Sequence, residues 1–258
     1  MAGETHNATQ SSATQERTAV VTGGTSGIGA AIVQTLTDAG WRVISLSRRN
    51  TVDTPTFAAS ASVVHCPVDL TTPQGVQLAC EVVRIHVEQL HLLVNCAGSI
   101  APEERIAHVA YAEVERSLRL HALAPMFLTQ GLADLLRQAG GSVVHIGSVY
   151  DEIADTDVAG YALAKAVLPQ LTRMQARELA PRVRVNLVRP GHIDTPMTRA
   201  APADYLAAVA AKTPLGTLGR AADVAQAVMF LASEGARFIT GAELRVDGGY
   251  LTNAGLAS

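Results

Sequence analysis

Apolar runs of strand length alternate with longer stretches of helical periodicity along most of this chain. Thr18–Val21 is short and β-branched and runs straight into Gly23, Gly24, Gly27 and Gly29, which reads as a buried strand entering a glycine turn. Ile28–Ala39 then repeats its apolar positions at helical spacing and stops at Gly40, a residue suited to the left-handed position just past a helix end. Further strands are predicted at Arg42–Ser47, Val63–Cys66, Leu92–Asn95, Val143–Gly147, Val183–Val188 and Glu243–Val246, with helical stretches near 73–89, 103–138, 159–180 and 221–233. Seven strands alternating with helices imply right-handed βαβ crossovers, hence an α/β fold with a parallel sheet covered on both faces. The least regular stretch is His192–Gly219, where Pro196, Pro202 and Pro214 surround a short helical pattern at 203–211. Ligands of open α/β sheets sit beyond the carboxyl ends of the strands, so this insertion after the sixth strand is placed to act as a lid.

Composition narrows the picture. The 258 residues are 48% apolar and 17% charged, which suits a globular chain and excludes a disordered one or a coiled coil. No repeat, low-complexity block or linker divides residues 18–258, which are expected to form one domain, and 1–17 reads as a mobile polar tail without the apolar stretch of a signal peptide. Twenty basic against 23 acidic residues, a formal charge of −3, offer no footprint for nucleic acid or an anionic membrane, and no apolar run is long enough to span a bilayer. Small-molecule partners are expected instead. Cys66, Cys80 and Cys96 are odd in number and lack metal-ligand spacing, so we expect a reducing cytoplasm, no metal site, and cysteines acting as small buried hydrophobes. Aromatic residues make up only 4%, so each of the five tyrosines calls for its own explanation.

The run Thr22-Gly-Gly-Thr-Ser-Gly-Ile-Gly29 joins the first strand to the first helix. Glycines there allow a sharp turn and a close approach to a pyrophosphate, at which the helix N–H groups aim. Glycines also serve ordinary tight turns; the strand before and helix after are what favour a dinucleotide. About 20 residues on, where an NAD site places an acid against the ribose, this chain has Ser47, Arg48 and Arg49. An arginine there can pair with a 2′-phosphate, which predicts NADP(H), unless the two arginines are merely solvated surface charges.

Tyr161 and Lys165 are four residues apart, on one face of a predicted helix, and Ser148 ends a predicted strand. With these residues on the page, the chain resembles the short-chain dehydrogenase/reductase family, including its 3-oxoacyl carrier-protein reductases. The resemblance rests on Thr22–Gly29, Asp69, Asn95-Cys-Ala-Gly98, Ser148, the Tyr161/Lys165 pair, Pro190-Gly191, Thr195 and Asp247-Gly-Gly249, in that order. It implies a single Rossmann-type doubly wound domain with a seven-stranded parallel sheet. It further implies that Tyr161 is the general acid or base in hydride transfer between a ketone and an alcohol, that Ser148 holds the substrate oxygen, and that Lys165 serves both the phenol and the nicotinamide ribose. A free phenol, with a pKa of ~10, needs a neighbouring cation to act near neutrality, and a lowering of ~2–3 units requires about 3–4 kcal/mol. By the same resemblance Gly23, Thr25, Ser26, Gly27, Ile28, Gly29, Ser47, Arg48, Arg49, Asp69, Leu70, Asn95, Ala97, Gly98, Pro190, Gly191, Ile193 and Thr195 border the cofactor. Asn186 and Asp247-Gly-Gly249 read as structural.

Three departures stand out. Cys96 replaces an asparagine common in the family. His121 occupies the helix position of an asparagine that holds a proton-relay water, and a histidine there can bond water but can also be cationic beside Lys165. Pro169 lies inside a helical pattern, four residues after Lys165, and predicts a kink. The substrate pocket is expected around Ile100, Tyr150, Asp151, Met197 and Tyr205, with Ile193, Leu206 and Leu215 adding apolar surface that suits a hydrophobic ketone. The acids Asp151, Glu152, Asp155 and Asp157 fit an amine-bearing substrate or a solvated loop. Arg173 and Arg177 lie where carrier-protein reductases place basic residues, and long apolar helices together with the resemblance imply a homotetramer. The leading reading is NADPH-dependent ketone reduction. An alcohol dehydrogenase working oxidatively and a non-catalytic dinucleotide sensor or scaffold are the alternatives.

Overall fold

The computed structural model describes residues 16–49, 61–101 and 105–253. Its centre is one seven-stranded sheet, all neighbours parallel, built from β1 (Thr18–Thr22), β2 (Arg42–Ser47), β3 (Val63–Pro67), β4 (Leu92–Asn95), β5 (Ser142–Ile146), β6 (Arg184–Pro190) and β7 (Glu243–Val246). The spatial order is β3-β2-β1-β4-β5-β6-β7, so the order reverses between β1 and β4. That switch point opens a crevice at the carboxyl edge. Every predicted strand is present within two residues of its expected limits.

Successive side chains of a strand point to opposite faces, and here both faces are apolar. Val20, Leu93 and Val143 face one core with Val83, Leu128 and Leu136, while Ala19, Val21, Leu92, Val94 and Val144 face the other with Ile32, Leu36, Val224 and Val228. The first face is covered by α2 (Pro73–His86), α4 (Ala124–Gly131), α5 (Ala133–Ala139) and α7 (Leu168–Leu179); the second by α1 (Gly27–Asp38) and α9 (Ala221–Ala232). Gly40, at φ +77°, ends α1 as expected.

The helical stretches are more broken than the pattern suggests. The expected helix at 103–138 begins later, with α3 (Tyr111–Leu118), then widens into a π-helical segment at Arg119–Leu123 before α4. Pro125 explains the widening, because it has no N–H for the carbonyl four residues earlier, that of His121. The stretch at 159–180 is likewise two helices, α6 (Ala159–Ala166) and α7, which part at Val167 next to Pro169. Each proline thus sits four residues after a residue of the candidate site.

Most of the expected tail, 1–15, lies outside the described residues. Arg17 belongs to the fold: its carbonyl accepts the Arg42 N–H at 2.9 Å and its guanidinium lies 4.5 Å from the Trp41 ring centre. The expected lid segment contains α8 (Ala203–Lys212), and its two ends are tied by a short parallel ladder pairing Ile193–Asp194 with Gly219–Arg220. Asp247 makes the structural turn expected of it, accepting the N–H groups of Gly249 and Leu251 at 2.9 and 3.0 Å. The cysteines are half-buried rather than fully buried, and all three are free thiols. Among the described residues no helix is long and apolar enough to cross a membrane, and no cluster of potential metal ligands occurs.

Candidate active site

The glycine loop between β1 and α1 is shaped by close approach. A Cβ at Gly23, which has φ +71°, would lie 2.8 Å from Ala97 Cα, and one at Gly29 would collide with the Gly23 carbonyl oxygen. Thr22 fixes the neighbouring turn: its Oγ1 accepts the N–H groups of both Cys96 and Ala97 at 2.9 Å. Ser26 precedes α1 in extended conformation without a side-chain cap, so the donors of the first turn are not taken by a capping group. Thr25 Oγ1 donates to Ser47 Oγ at 3.2 Å, which links the loop to the end of β2. Thr195 closes the ring from the other side, 3.4 Å from where a Gly27 Cβ would stand. This cradle, bare of side chains where a pyrophosphate approaches and lined with backbone donors, fits a dinucleotide.

The catalytic candidates converge at the carboxyl end of β5. Ser148 is buried just past the strand, and its Oγ accepts the Tyr150 N–H at 3.3 Å. Lys165 reaches back from α6 and donates from Nζ to the Ile146 carbonyl at 2.7 Å, with Nζ 5.5 Å from the Tyr161 ring centre. Burial draws Lys165 down to about 8, against the opposing pull of Cys96 and Asp151. Burial also pushes the Cys96 thiol up to about 12, so it is an inert neighbour of the lysine. Tyr161 is flanked edge-on by His121, at 5.1 Å between ring centres, and by Tyr150 at 6.1 Å.

His121 differs from expectation. Its Nδ1 lies 3.0 Å from the Ser117 carbonyl, an acceptor only, so Nδ1 carries the proton, and Nε2 accepts the Ser99 N–H at 3.2 Å. Both ring nitrogens are therefore engaged by protein, which leaves no lone pair for a relay water. Burial first, and then Lys165, hold its pKa well below the ordinary histidine value, so it is neutral rather than cationic.

Other expectations are corrected by burial. The Asn95 amide points into the fold, donating to His145 Nδ1 at 3.1 Å, rather than into the cleft. Leu70 and Ile193 are core residues, 4% and 3% exposed. Asp151 does not line the substrate rim: its carboxylate is buried against the Arg189 guanidinium, which also pairs with Glu152. Arg173, half exposed, pairs with Glu243 at 2.7 Å. Asn186 is structural as expected, bonding Ile239 and Ala242. Gly98 and Arg48 are exposed at the edge of the cleft, Ile100 is half-buried, and Met197 and Tyr205 are exposed on the lid segment. Asp69 binds Thr71 through its N–H and hydroxyl at 3.0 and 2.8 Å; burial opposes its ionisation, but these bonds and Arg48 keep the carboxyl below its ordinary value.

The family model described as enoyl-(acyl carrier protein) reductase matches residues 23–251. The chain belongs to the short-chain dehydrogenase/reductase family. As a short-chain dehydrogenase/reductase it is an oxidoreductase acting on CH–OH or C=O groups, in a family that binds a nicotinamide dinucleotide. Similar proteins include the cis-4-hydroxycyclohexanecarboxylate dehydrogenase of Sinomonas cyclohexanicum, 33% identical over 91% of this chain and 96% of the relative. The 3-oxoacyl-(acyl-carrier-protein) reductase FabG of Escherichia coli is 34% identical over 90% and 96%. Among solved structures, the Pseudomonas aeruginosa RhlG/NADP active-site complex superposes with a TM-score of 0.84 at 31% identity, covering 91% of this chain and 96% of the other.

Sequence reasoning did not assign His192, although it directly follows Pro190-Gly191. In this short-chain dehydrogenase/reductase it lies at the centre of an aromatic group with Tyr150, Tyr205 and Tyr250. Thr22, Ser99, Ser117 and Arg189 were also missed as positioning residues, because their partners are distant in sequence or belong to the backbone.

Proposed function

We propose that this enzyme reduces a ketone to a secondary alcohol with NADPH. The observation that carries the reading is the arrangement of Lys165, anchored on the Ile146 carbonyl beneath the Tyr161 ring, beside the buried Ser148. Tyr161 protonates the carbonyl oxygen, Ser148 holds that oxygen by a hydrogen bond, and Lys165 favours the phenolate left behind. The dinucleotide supplies the hydride when bound. Gly23, Ser26, Gly27, Gly29 and Thr195 hold it, with Arg48 and Arg49 at its 2′-phosphate and Pro190 and Gly191 at the nicotinamide end. Support for NADPH comes from the absence of an acid at Ser47–Arg49 and from the NADP named in the RhlG complex. His121 acts as a clamp between Ser99 and Ser117 beside Tyr161, not as a water holder.

The segment 192–219 closes over the substrate, and residues 18–258 act as one domain. The exposed apolar side chains Leu123, Met126, Phe127, Leu163, Val167 and Met174 on α4, α6 and α7 and the segments beside them support self-association, which the family resemblance extends to a homotetramer. Tyr161→Phe tests the reaction: NADPH consumption with ketones should fall about 10³-fold while NADPH still binds, and near-normal turnover would refute the assignment.

A further inference from the structure

Tyrosine is scarce in this chain, yet four of its five tyrosines gather at the site, with only Tyr111 elsewhere. Three polar atoms form a triangle: Tyr150 Oη lies 3.1 Å from His192 Nε2 and 3.2 Å from Tyr205 Oη, which is 3.4 Å from the same nitrogen. Tyr150 also packs edge-on against Tyr161, so the triangle stands one aromatic ring from the proposed proton donor.

We propose that the Tyr150–His192–Tyr205 triangle binds a second hydroxyl of the substrate, so that the preferred substrate is an uncharged cyclic ketone or alcohol carrying another hydroxyl across the ring. The proposal rests on the ketone reductase reading above and names its substrate class. The triangle has unspent capacity. Each phenol can donate once and accept twice: with Tyr205 donating to Tyr150 and Tyr150 to His192 Nε2, both phenol protons are used and acceptor lone pairs remain on the two phenol oxygens. His192 Nδ1 is buried with no partner among the described residues. Spare lone pairs gain most from a ligand that can donate a proton to them, as a hydroxyl does and a carboxylate does not.

The electrostatics agree. Burial holds His192 neutral, and the nearby charge acting on Tyr150, His192 and Tyr250 is that of Asp155, which is negative. Among the described residues, a carboxylate here would meet that acid, and no cation acts on these three rings. The flat walls of Tyr150, Tyr161 and Tyr250, with His192 4.9 Å from Tyr250 between ring centres, suit the C–H faces of a ring.

The test compares kcat/KM for NADPH-dependent reduction of cyclohexanone, 4-hydroxycyclohexanone and 4-oxocyclohexanecarboxylate. The wild type should favour the hydroxyketone at least tenfold over either of the others. Tyr205→Phe, an exposed substitution that spares the fold, should cut its preference over cyclohexanone below threefold. His192→Phe should do the same through the other corner. Equal rates for the two neutral ketones in the wild type, or a preference that survives both substitutions, overturn the proposal while leaving the reductase reading intact. If no ketone is reduced, the reductase reading fails, and calorimetry with 1,4-cyclohexanediol and cyclohexanol in the presence of NADP+ still decides the second-hydroxyl site: a tighter diol, weakened by Tyr205→Phe, supports it, and equal affinities refute it.

Discussion

The two sides of the cleft are held together by different means. On the cofactor side, the positions of Gly23, Gly29 and Thr22 are enforced by backbone contact, atoms so close that a single Cβ has no room. On the substrate side, residues from 150 to 250 in the sequence meet through side chains, and a buried arginine carries the load. Arg189, on β6, pairs with Asp151 and Glu152, which follow Tyr150, and with Glu243 on β7 at 3.3 Å. Glu152 in turn accepts from Arg245 at 2.9 Å. The glycine cradle thus rests on backbone geometry, and the opposite side of the cleft on exchangeable side chains.

The strongest way to break this contrast is Arg189→Met. Its guanidinium is 3% exposed and the Asp151 carboxylate 2%, so removing the arginine strands a buried acid. A loss of about 3–5 kcal/mol in urea unfolding is expected. The damage should be local to the substrate side: below the transition, ketone kcat/KM falls while NADPH affinity stays within threefold. A matching loss of NADPH affinity would show that the two sides are not held independently.

The next effect lies beneath the catalytic side. His145 is fully buried, accepts from Asn95 at Nδ1, and donates from Nε2 to Gln175 Oε1 at 2.8 Å. Burial holds it at about 4, against 6.5 for an ordinary histidine. Between these values the unfolded chain binds a proton that the native one refuses, so stability is full above pH 6.5 and drains as the pH falls toward 4. Denaturant unfolding at pH 7 and 4.5 should differ by about 2–3 kcal/mol on this account, a difference that His145→Gln removes. An unchanged acid loss in that variant would assign it to other groups.

These same contrasts explain what was legible in the sequence. The seven strands and the convergence of Ser148, Tyr161 and Lys165 were readable because strands buried on both faces are continuous apolar runs and residues four apart share one face of a helix. The kink near Pro169 was readable because proline acts locally. Pro125 does the same to the helix at His121, yet the apolar pattern runs through the π-helical segment without a break. Asp151 was misplaced because its acidic neighbours suggested a solvated rim, whereas the arginine that buries it lies 38 positions away. For His121, position alone leaves a water holder and a cation beside Lys165 both open; that its nitrogens are satisfied by Ser99 and Ser117 follows only from how the loop after β4 folds back.

On the cofactor side, Gly29→Ala sharpens the contrast with a smaller change. Its methyl group would collide with the Gly23 carbonyl, so the loop must open at a cost of about 2 kcal/mol, or roughly 30-fold in NADPH affinity. Unaltered affinity would mean that the loop yields as easily as a side chain.

The smallest effect concerns Arg48, which with Arg49 forms an exposed part of the proposed cofactor side. It lies at the surface just past β2, and its charge lowers the Asp69 carboxyl. A phosphate bonded at such a position is partly screened by water and salt, so the contact is worth less than a buried pair. Arg48→Ala should weaken NADPH binding about tenfold, near 1.4 kcal/mol, and leave NADH binding unchanged. The difference should shrink as salt rises from 0.05 to about 0.5 M, because the Debye length falls below the separation of exposed charges. Equal losses for both dinucleotides would make Arg48 a positioning residue for the β2 end. A loss confined to NADPH that ignores salt would place the phosphate in a drier pocket than the exposed arginine provides.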